Sequence, residues 1–205
     1  MVRRKSDAPG RLQEAAMALF VERGYDAVTV AEIAERAEMT KRSFFNHFAD
    51  KREVMFASAD ALQARVLDVL AAAGDELGPL DAAVEAFATA AAAQVEGYPE
   101  LARARRTIID SSTDLQERDL LKMAAMTAAV ADALTSRGTP RRDAAFAAQA
   151  ATAVFTTAVE DWIRDPARGL ADAIRDALGG LRGALAIGER DTGSPGARAR
   201  HRPRG

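Results

Sequence analysis

The chain contains no cysteine, which excludes disulfides, thiolate metal sites and a cysteine nucleophile. Histidine is nearly absent too, with only His47 and His201 in 205 residues. Between those two positions no usual acid–base or nucleophile pair can be assembled. Scattered carboxylates such as Asp110, Asp114, Glu160 and Asp161 read as solvated or capping groups, and an enzyme is not expected. Aromatic residues make up only 5% of the chain, while alanine is the commonest residue. Strands draw on aromatic and β-branched residues and helices on alanine, so an all-α fold is expected. Long apolar runs are missing as well. The two most apolar stretches, 82–95 and 144–159, are interrupted by Glu85, Thr89 and Gln94 and by Gln149, Thr152 and Thr156. They are too short for a membrane span. The basic N-terminus is followed by no apolar run of signal-peptide type, so a soluble, cytoplasmic protein with no membrane partner is expected. A net charge of −2 argues against a protein that coats nucleic acid by bulk charge, yet leaves room for a local basic surface.

What is present is helical punctuation. Residues 1–10 form a basic arm closed by Pro9-Gly10. Leu12, Ala15, Ala16, Leu19 and Phe20 then recur in steps of three and four, one face of a first helix that Gly24 stops. Thr29 with Glu32 is a capping box for a second helix whose buried stripe is Val30, Ile33, Ala34 and Ala37. Glu38-Met39 make the turn, Thr40 caps a third helix ending near His47-Phe48, and Asp50 caps a fourth running to about Ala73. Later helices are expected over 81–96, 99–110, 112–137, 141–164 and 169–186, bounded by Gly, Ser and Pro. The residues from 188 to 205 lack apolar periodicity and are rich in Gly, Pro and Arg, the composition of a disordered tail. The expected layout is therefore an arm (1–10), a three-helix head (11–49), a linking helix plus helical body (50–187) and a tail (188–205).

The third helix carries the most specific signal. With about 100° per residue, Phe48 lies about 40° from Phe44, while Arg42 and Asn46 lie about 160° and about 200° away. Two aromatic anchors thus face inward and two hydrogen-bonding side chains face outward, flanked by Ser43 and Phe45. An outward Arg can bind guanine through two hydrogen bonds, and Asn can do the same to adenine. Lys41 can reach a phosphate or a guanine. The helix-starting amides beside Thr29 and Thr40, together with Lys51, can hold phosphates. His47 fits either a phosphate donor or a partly buried structural residue. The competing reading is a solvated surface helix, against which an outward Phe45 argues.

These residues resemble the helix-turn-helix head of the TetR family of transcriptional regulators. The resemblance covers about 11–56 and rests on AAMALFVERGYDAVTV, AEIAERA and TKRSFFNHFADK. It implies that Lys41, Arg42, Ser43 and Asn46 face bases, and that Thr29, Thr40, Phe45, His47 and Lys51 face the DNA backbone. Two positions depart from the family pattern: Phe45 stands where Tyr is common, and Glu38 where a turn Gly is common. The resemblance further implies a homodimer on a palindromic operator of double-stranded DNA, released by a small-molecule effector of unknown identity, with repression as the common mode. No cofactor is implied. For the effector pocket, mostly apolar with a few polar groups, the candidates are Phe87, Ile109, Met123, Met126, Phe155 and Trp162, with Arg106, Asp110 or Glu160 as polar anchors; ordinary core is the competing reading of the aromatics and methionines. For the dimer face the resemblance points to the last two helices, with Ala144, Ala148, Ala151, Phe155 and Val159, then Leu178, Leu181 and Leu185, as the apolar surface; Gly179, Gly180 and Gly183 fit either close helix approach across that seam or fraying near a helix end. The alternative function is a helical ligand-binding or interaction protein without specific DNA binding.

Overall fold

Among the described residues, 8–74 and 76–191, the computed structural model is helical throughout. The helices are α1 (Ala8–Arg23), α2 (Val30–Arg36), α3 (Lys41–Phe45), α4 (Lys51–Ala72), α5 (Pro79–Gln94), α6 (Pro99–Asp110), α7 (Thr113–Ser136), α8 (Arg141–Arg164) and α9 (Leu170–Asp191). Three boundaries differ from expectation, one of them the end of α3, which stops at Phe45 with Asn46 as its C-cap instead of near His47-Phe48. The first helix begins at Ala8, so Pro9-Gly10 lies within its first turn instead of closing an arm. A proline is tolerated there because the first-turn N–H groups have no intrahelical acceptor. The last helix continues through Gly188 to Asp191. Residues 1–7 of the expected arm and 192–205 of the expected tail lie outside the described residues.

The apolar side chains divide into two clusters. One joins α1, α2 and α3 through Leu12, Phe20, Ile33 and Phe44, and closes with Val54, Met55 and Phe56 of α4 and Ile108, Ile109 and Leu115 from the region of α6 and α7. The head core therefore does not end at the expected boundary of residue 49. Three short helices bury too little apolar surface to close a core alone, and the body supplies the rest. The second cluster fills the space between α4, α5, α7, α8 and α9 and includes Phe87, Met126, Val130 and Trp162.

Two caps hold α4 in place. Asp50 accepts from the main-chain N–H groups of Arg52 and Glu53 at 2.8 and 3.0 Å. At the far end, Arg137 donates to the carbonyls of Leu70, Ala73 and Gly74 at 3.0, 2.9 and 3.0 Å, which satisfies acceptors the helix leaves orphaned. Along its length α4 is tied to α7 by Arg52–Asp114, Glu53–Arg118 and Asp60–Lys122.

The turn between α2 and α3 is a Schellman motif. Met39 N–H donates to the Ala34 carbonyl at 2.8 Å, and Glu38 N–H donates to Glu35 at 2.9 Å. The motif needs a left-handed residue, and Glu38 supplies it at φ 55, the sole non-glycine with positive φ among the described residues. Arg11 braces the turn by donating to the Ala37 carbonyl and pairing with Glu38 at 3.4 Å. A left-handed non-glycine costs about 1–2 kcal/mol, and the extra unfolded-state freedom of glycine returns about 0.5–1 kcal/mol of that. Glu38→Gly is therefore expected to stabilise the chain by roughly 0.5–1 kcal/mol. The Arg11 pair is a small loss, since Glu38 is 89% exposed. Urea unfolding checks the sign; a lower midpoint for the glycine variant would mean that the turn is unstrained.

Candidate nucleic-acid interface

The second and third helices start as their capping residues dictate. Glu32 N–H donates to Thr29 Oγ1 at 3.3 Å, and the Glu32 carboxylate accepts from the Thr29 N–H at 2.8 Å and the Thr29 hydroxyl at 2.7 Å. Arg23 adds a bond to the same carboxylate at 2.7 Å. The Thr29 hydroxyl, its main-chain N–H and Arg23, in that order, hold the Glu32 carboxyl down from 4.5 to about 2. A carboxylate so depressed adds stability that is complete above 4.5 and is lost as the pH falls towards about 2. The thermal midpoints of the natural chain and Glu32→Gln are therefore expected to differ at neutral pH and to converge across that acid window. A gap that stays constant into acid would show that the carboxylate adds nothing.

At α3 the Ser43 N–H donates to Thr40 Oγ1 at 3.0 Å, and the two hydroxyls lie 2.8 Å apart. Ser43 is half-buried and braces the cap. Phe44 is fully buried and Phe48 is 9% exposed, with ring centroids 5.5 Å apart. Between them Phe45 remains 49% exposed, edge-on to Phe44 at 5.5 Å. The five-residue helix owes its position to these two inward rings, because it is too short to hold itself. Lys41, Arg42, Asn46 and His47 are all exposed. Asn46 keeps right-handed helical angles as the C-cap, so the outward face extends through it.

Charge pairing separates this face from the rest of the head. Arg11, Arg23, Arg36 and Arg52 are each in an ion pair, with Glu38, Glu32, Glu22 and Asp50. Lys51 donates to the carbonyls of Tyr25 and Val28 at 2.7 and 2.9 Å and lies 4.0 Å over the Tyr25 ring. Burial pulls its ammonium below the ordinary lysine value, opposed by Asp26 and Asp114. Two of its three N–H donors are thus used internally, leaving one for an outside acceptor. Of the described cations from 8 to 56, only Lys41 and Arg42 have no carboxylate or carbonyl partner, Lys41 resting 6.0 Å over Phe45. Two adjacent unpaired cations beside Asn46, on a face turned to solvent, form a surface able to take phosphates and base edges.

In the body a cavity of about 410 Å³ opens between α4, α6 and α8. Arg106, Met123, Phe155 and Glu160 line it, as the sequence suggested. Phe87 lies behind the wall, stacked on Phe155 at 4.8 Å, and Met126 and Trp162 are buried in the body core. Ile109 belongs to the head core instead, and Asp110 is exposed and paired with Arg106 at 2.7 Å. The last turn of α6 has rotated these two away from the cavity. Sequence reasoning missed Leu62, Val95, Tyr98, Arg105 and Asp119 in the lining. The one available signal was that Arg105 lies three residues before Ile108 on a helix with strongly sided hydrophobicity.

The dimer expectation also changes register. Ala144, Ala148, Ala151 and Phe155 face the chain's own core, as does Leu178, while Val159 and Leu181 are half-buried. The open surface of α8 carries Phe146, 59% exposed, and that of α9 carries Leu185, 67% exposed. A Cβ added at Gly179, Gly180 or Gly183 would meet nothing within 4 Å in this chain.

Comparison with known proteins matches both halves. Residues 12–57 match the family model of the bacterial regulatory proteins, tetR family, and residues 77–186 match that of the MftR C-terminal domain. The chain is 38% identical over 87 residues to the HTH-type transcriptional activator FasR of Mycolicibacterium smegmatis, covering 40% of each chain. It is 39% identical over 72 residues to the HTH-type transcriptional regulator TcmR of Streptomyces glaucescens, covering 35% of this chain and 32% of that one. The chain thus spans well under half the length of these relatives. Among solved structures, the complex of SmeT with triclosan superposes with a TM-score of 0.58 at 20% identity, covering 88% of this chain and 90% of that one. FadR from Bacillus halodurans superposes at 0.54 with 16% identity, covering 85% and 94%. At these identities the structures share the fold.

Proposed function

The chain belongs to the TetR family of bacterial regulatory proteins, and from that premise we propose that it is a ligand-released repressor that binds a palindromic operator as a homodimer. The unpaired state of Lys41 and Arg42, in a head whose other described cations are engaged, is the observation that carries the DNA contact. Arg42 and Asn46 read base edges; Lys41, Thr29, Thr40, His47 and the spare donor of Lys51 hold phosphates. Phe45 lies against the sugar-phosphate backbone, and Ser43 serves mainly through its bond to Thr40.

The second copy covers the open faces of α8 and α9 around Phe146, Leu185 and the three glycines. Glycine costs roughly 1 kcal/mol relative to alanine in a helix, and close approach of a partner helix offsets that. Two recognition helices then meet successive major grooves, about 34–36 Å apart.

Release runs through α4 and α6. Both line the 410 Å³ cavity, α4 with Leu62 and α6 with Arg105, and both enter the head core, with Phe56 and Ile109. A ligand that shifts either helix moves the head against its twin. Coupling is reciprocal, so operator DNA must weaken the ligand by the same factor. Selection from random DNA, followed by affinity measured at two salt concentrations, tests the proposal. A palindrome bound in a salt-sensitive way is the expected result. Enrichment of no sequence would leave the alternative of a helical ligand-binding protein.

A further inference from the structure

The charges in the cavity wall are unevenly paired. Its charged lining consists of Arg105, Arg106, Asp119 and Glu160. Arg105 donates to Asp119 at 3.0 Å, with both side chains mostly covered. Arg106 is taken by Asp110 at 2.7 Å. Glu160 has no hydrogen bond or ion pair with any described residue, although its charge acts on Arg106 from a distance. Two guanidiniums and two carboxylates therefore line the cavity, and because Arg106 is held by Asp110 from outside it, the exposed Glu160 is the lining carboxylate without a partner. Around it the wall is apolar and aromatic: Phe155, Val159, Ile163 and Tyr98.

We propose that this cavity takes a lipophilic organic monocation of drug-like size, its charge against Glu160 and its apolar body against Phe155, Val159 and Ile163. The inference rests on reading the cavity as the effector site. An organic anion that took Arg105 from Asp119 would leave that covered carboxylate unpaired, which is costly, and one that took Arg106 would displace Asp110. A cation meets an unpaired carboxylate and breaks no existing pair. The opposing feature is the Nε of Arg105, buried without a partner among the described residues. It calls for an acceptor, and a preference for anions is accordingly an outcome the test must offer.

The test uses skeletons that differ only in the head group: 4-phenylbutylamine, 4-phenylbutan-1-ol and 4-phenylbutyrate, with their octyl- and naphthyl-bearing counterparts. Binding to the full chain is measured by calorimetry at neutral pH. The amine of each set is expected to bind about two- to fivefold tighter than its alcohol and its acid, as an exposed ion pair gives. Glu160→Gln is expected to erase that advantage while leaving alcohol binding and the thermal midpoint of the free chain unchanged. Acids binding best, equal binding within each set, no amine binding, or an advantage that survives Glu160→Gln would each overturn the inference. Amines that bind with the expected preference but do not release the selected operator would overturn the effector reading and leave the ligand class standing.

Discussion

Arg42→Ala is expected to weaken binding to the selected operator by roughly 10- to 100-fold, the about 1–3 kcal/mol that a bidentate base contact supplies. The fold should not change, because the Arg42 side chain is exposed and makes no hydrogen bond or ion pair with described residues. The loss should be confined to specific sequence: affinity for random DNA falls little, and discrimination relaxes at one base pair in each half-site. Lys41→Ala should act differently. Its loss is expected across all sequences, with the slope of log affinity against log salt falling by about 1 per phosphate contact. Arg36→Ala is the control. Arg36 is already bound by Glu22 at 2.6 Å on another face of the head, so operator binding should barely change. Titration of labelled operator by all three variants at two salt concentrations separates these roles. If Arg42→Ala and Arg36→Ala behave alike, Arg42 does not read bases.

Phe56→Ala is expected to cost about 3–5 kcal/mol of stability, the range for emptying a buried phenylalanine site. In a chain of this length that lowers the melting midpoint by roughly 10 °C. Phe56 is fully buried, sits in the core shared by α1, α3, α4 and α6, and carries the Arg105 guanidinium 5.2 Å above its ring. Because Ile108, Ile109 and Leu115 belong to that same core, head and body should melt together. Scanning calorimetry is expected to show one transition shifted as a whole. Two transitions, with only the smaller displaced, would mean that the head folds without the body. The position also matters for release, since Arg105 touches both the cavity and this ring.

Much of the head was legible because its signals are local. A capping box spans four residues, and both halves of the Thr29–Glu32 box form. The inward Phe44 and Phe48 and the outward Arg42 follow from about 100° per residue alone. Glu38 drew notice where glycine is common, and it takes the left-handed conformation that makes glycine common there. The body was less legible. On α8 an apolar stripe was assigned to a partner subunit, yet Ala144, Ala148 and Ala151 are buried in this chain's own core. Periodicity says that a stripe is buried and is silent on what buries it. Ile109 and Asp110 failed as cavity residues for the same reason, since a rotation of one α6 turn decides between cavity, head core and solvent. Lys51 looked like a free phosphate clamp because the two carbonyls that hold it lie 26 and 23 residues earlier.

The sequence by itself determined the all-α class, the caps that start α2, α3 and α4 and the outward set on α3. Those depend on neighbours within one or two turns, where backbone geometry leaves few choices. Only the tertiary structure decided that α6 completes the head core, that the Lys51 ammonium is held internally, and that Glu160 is the unpaired charge of the cavity. Each of these depends on the angle and rotation at which distant helices meet, and many side-chain contacts that no short stretch contains set that geometry together.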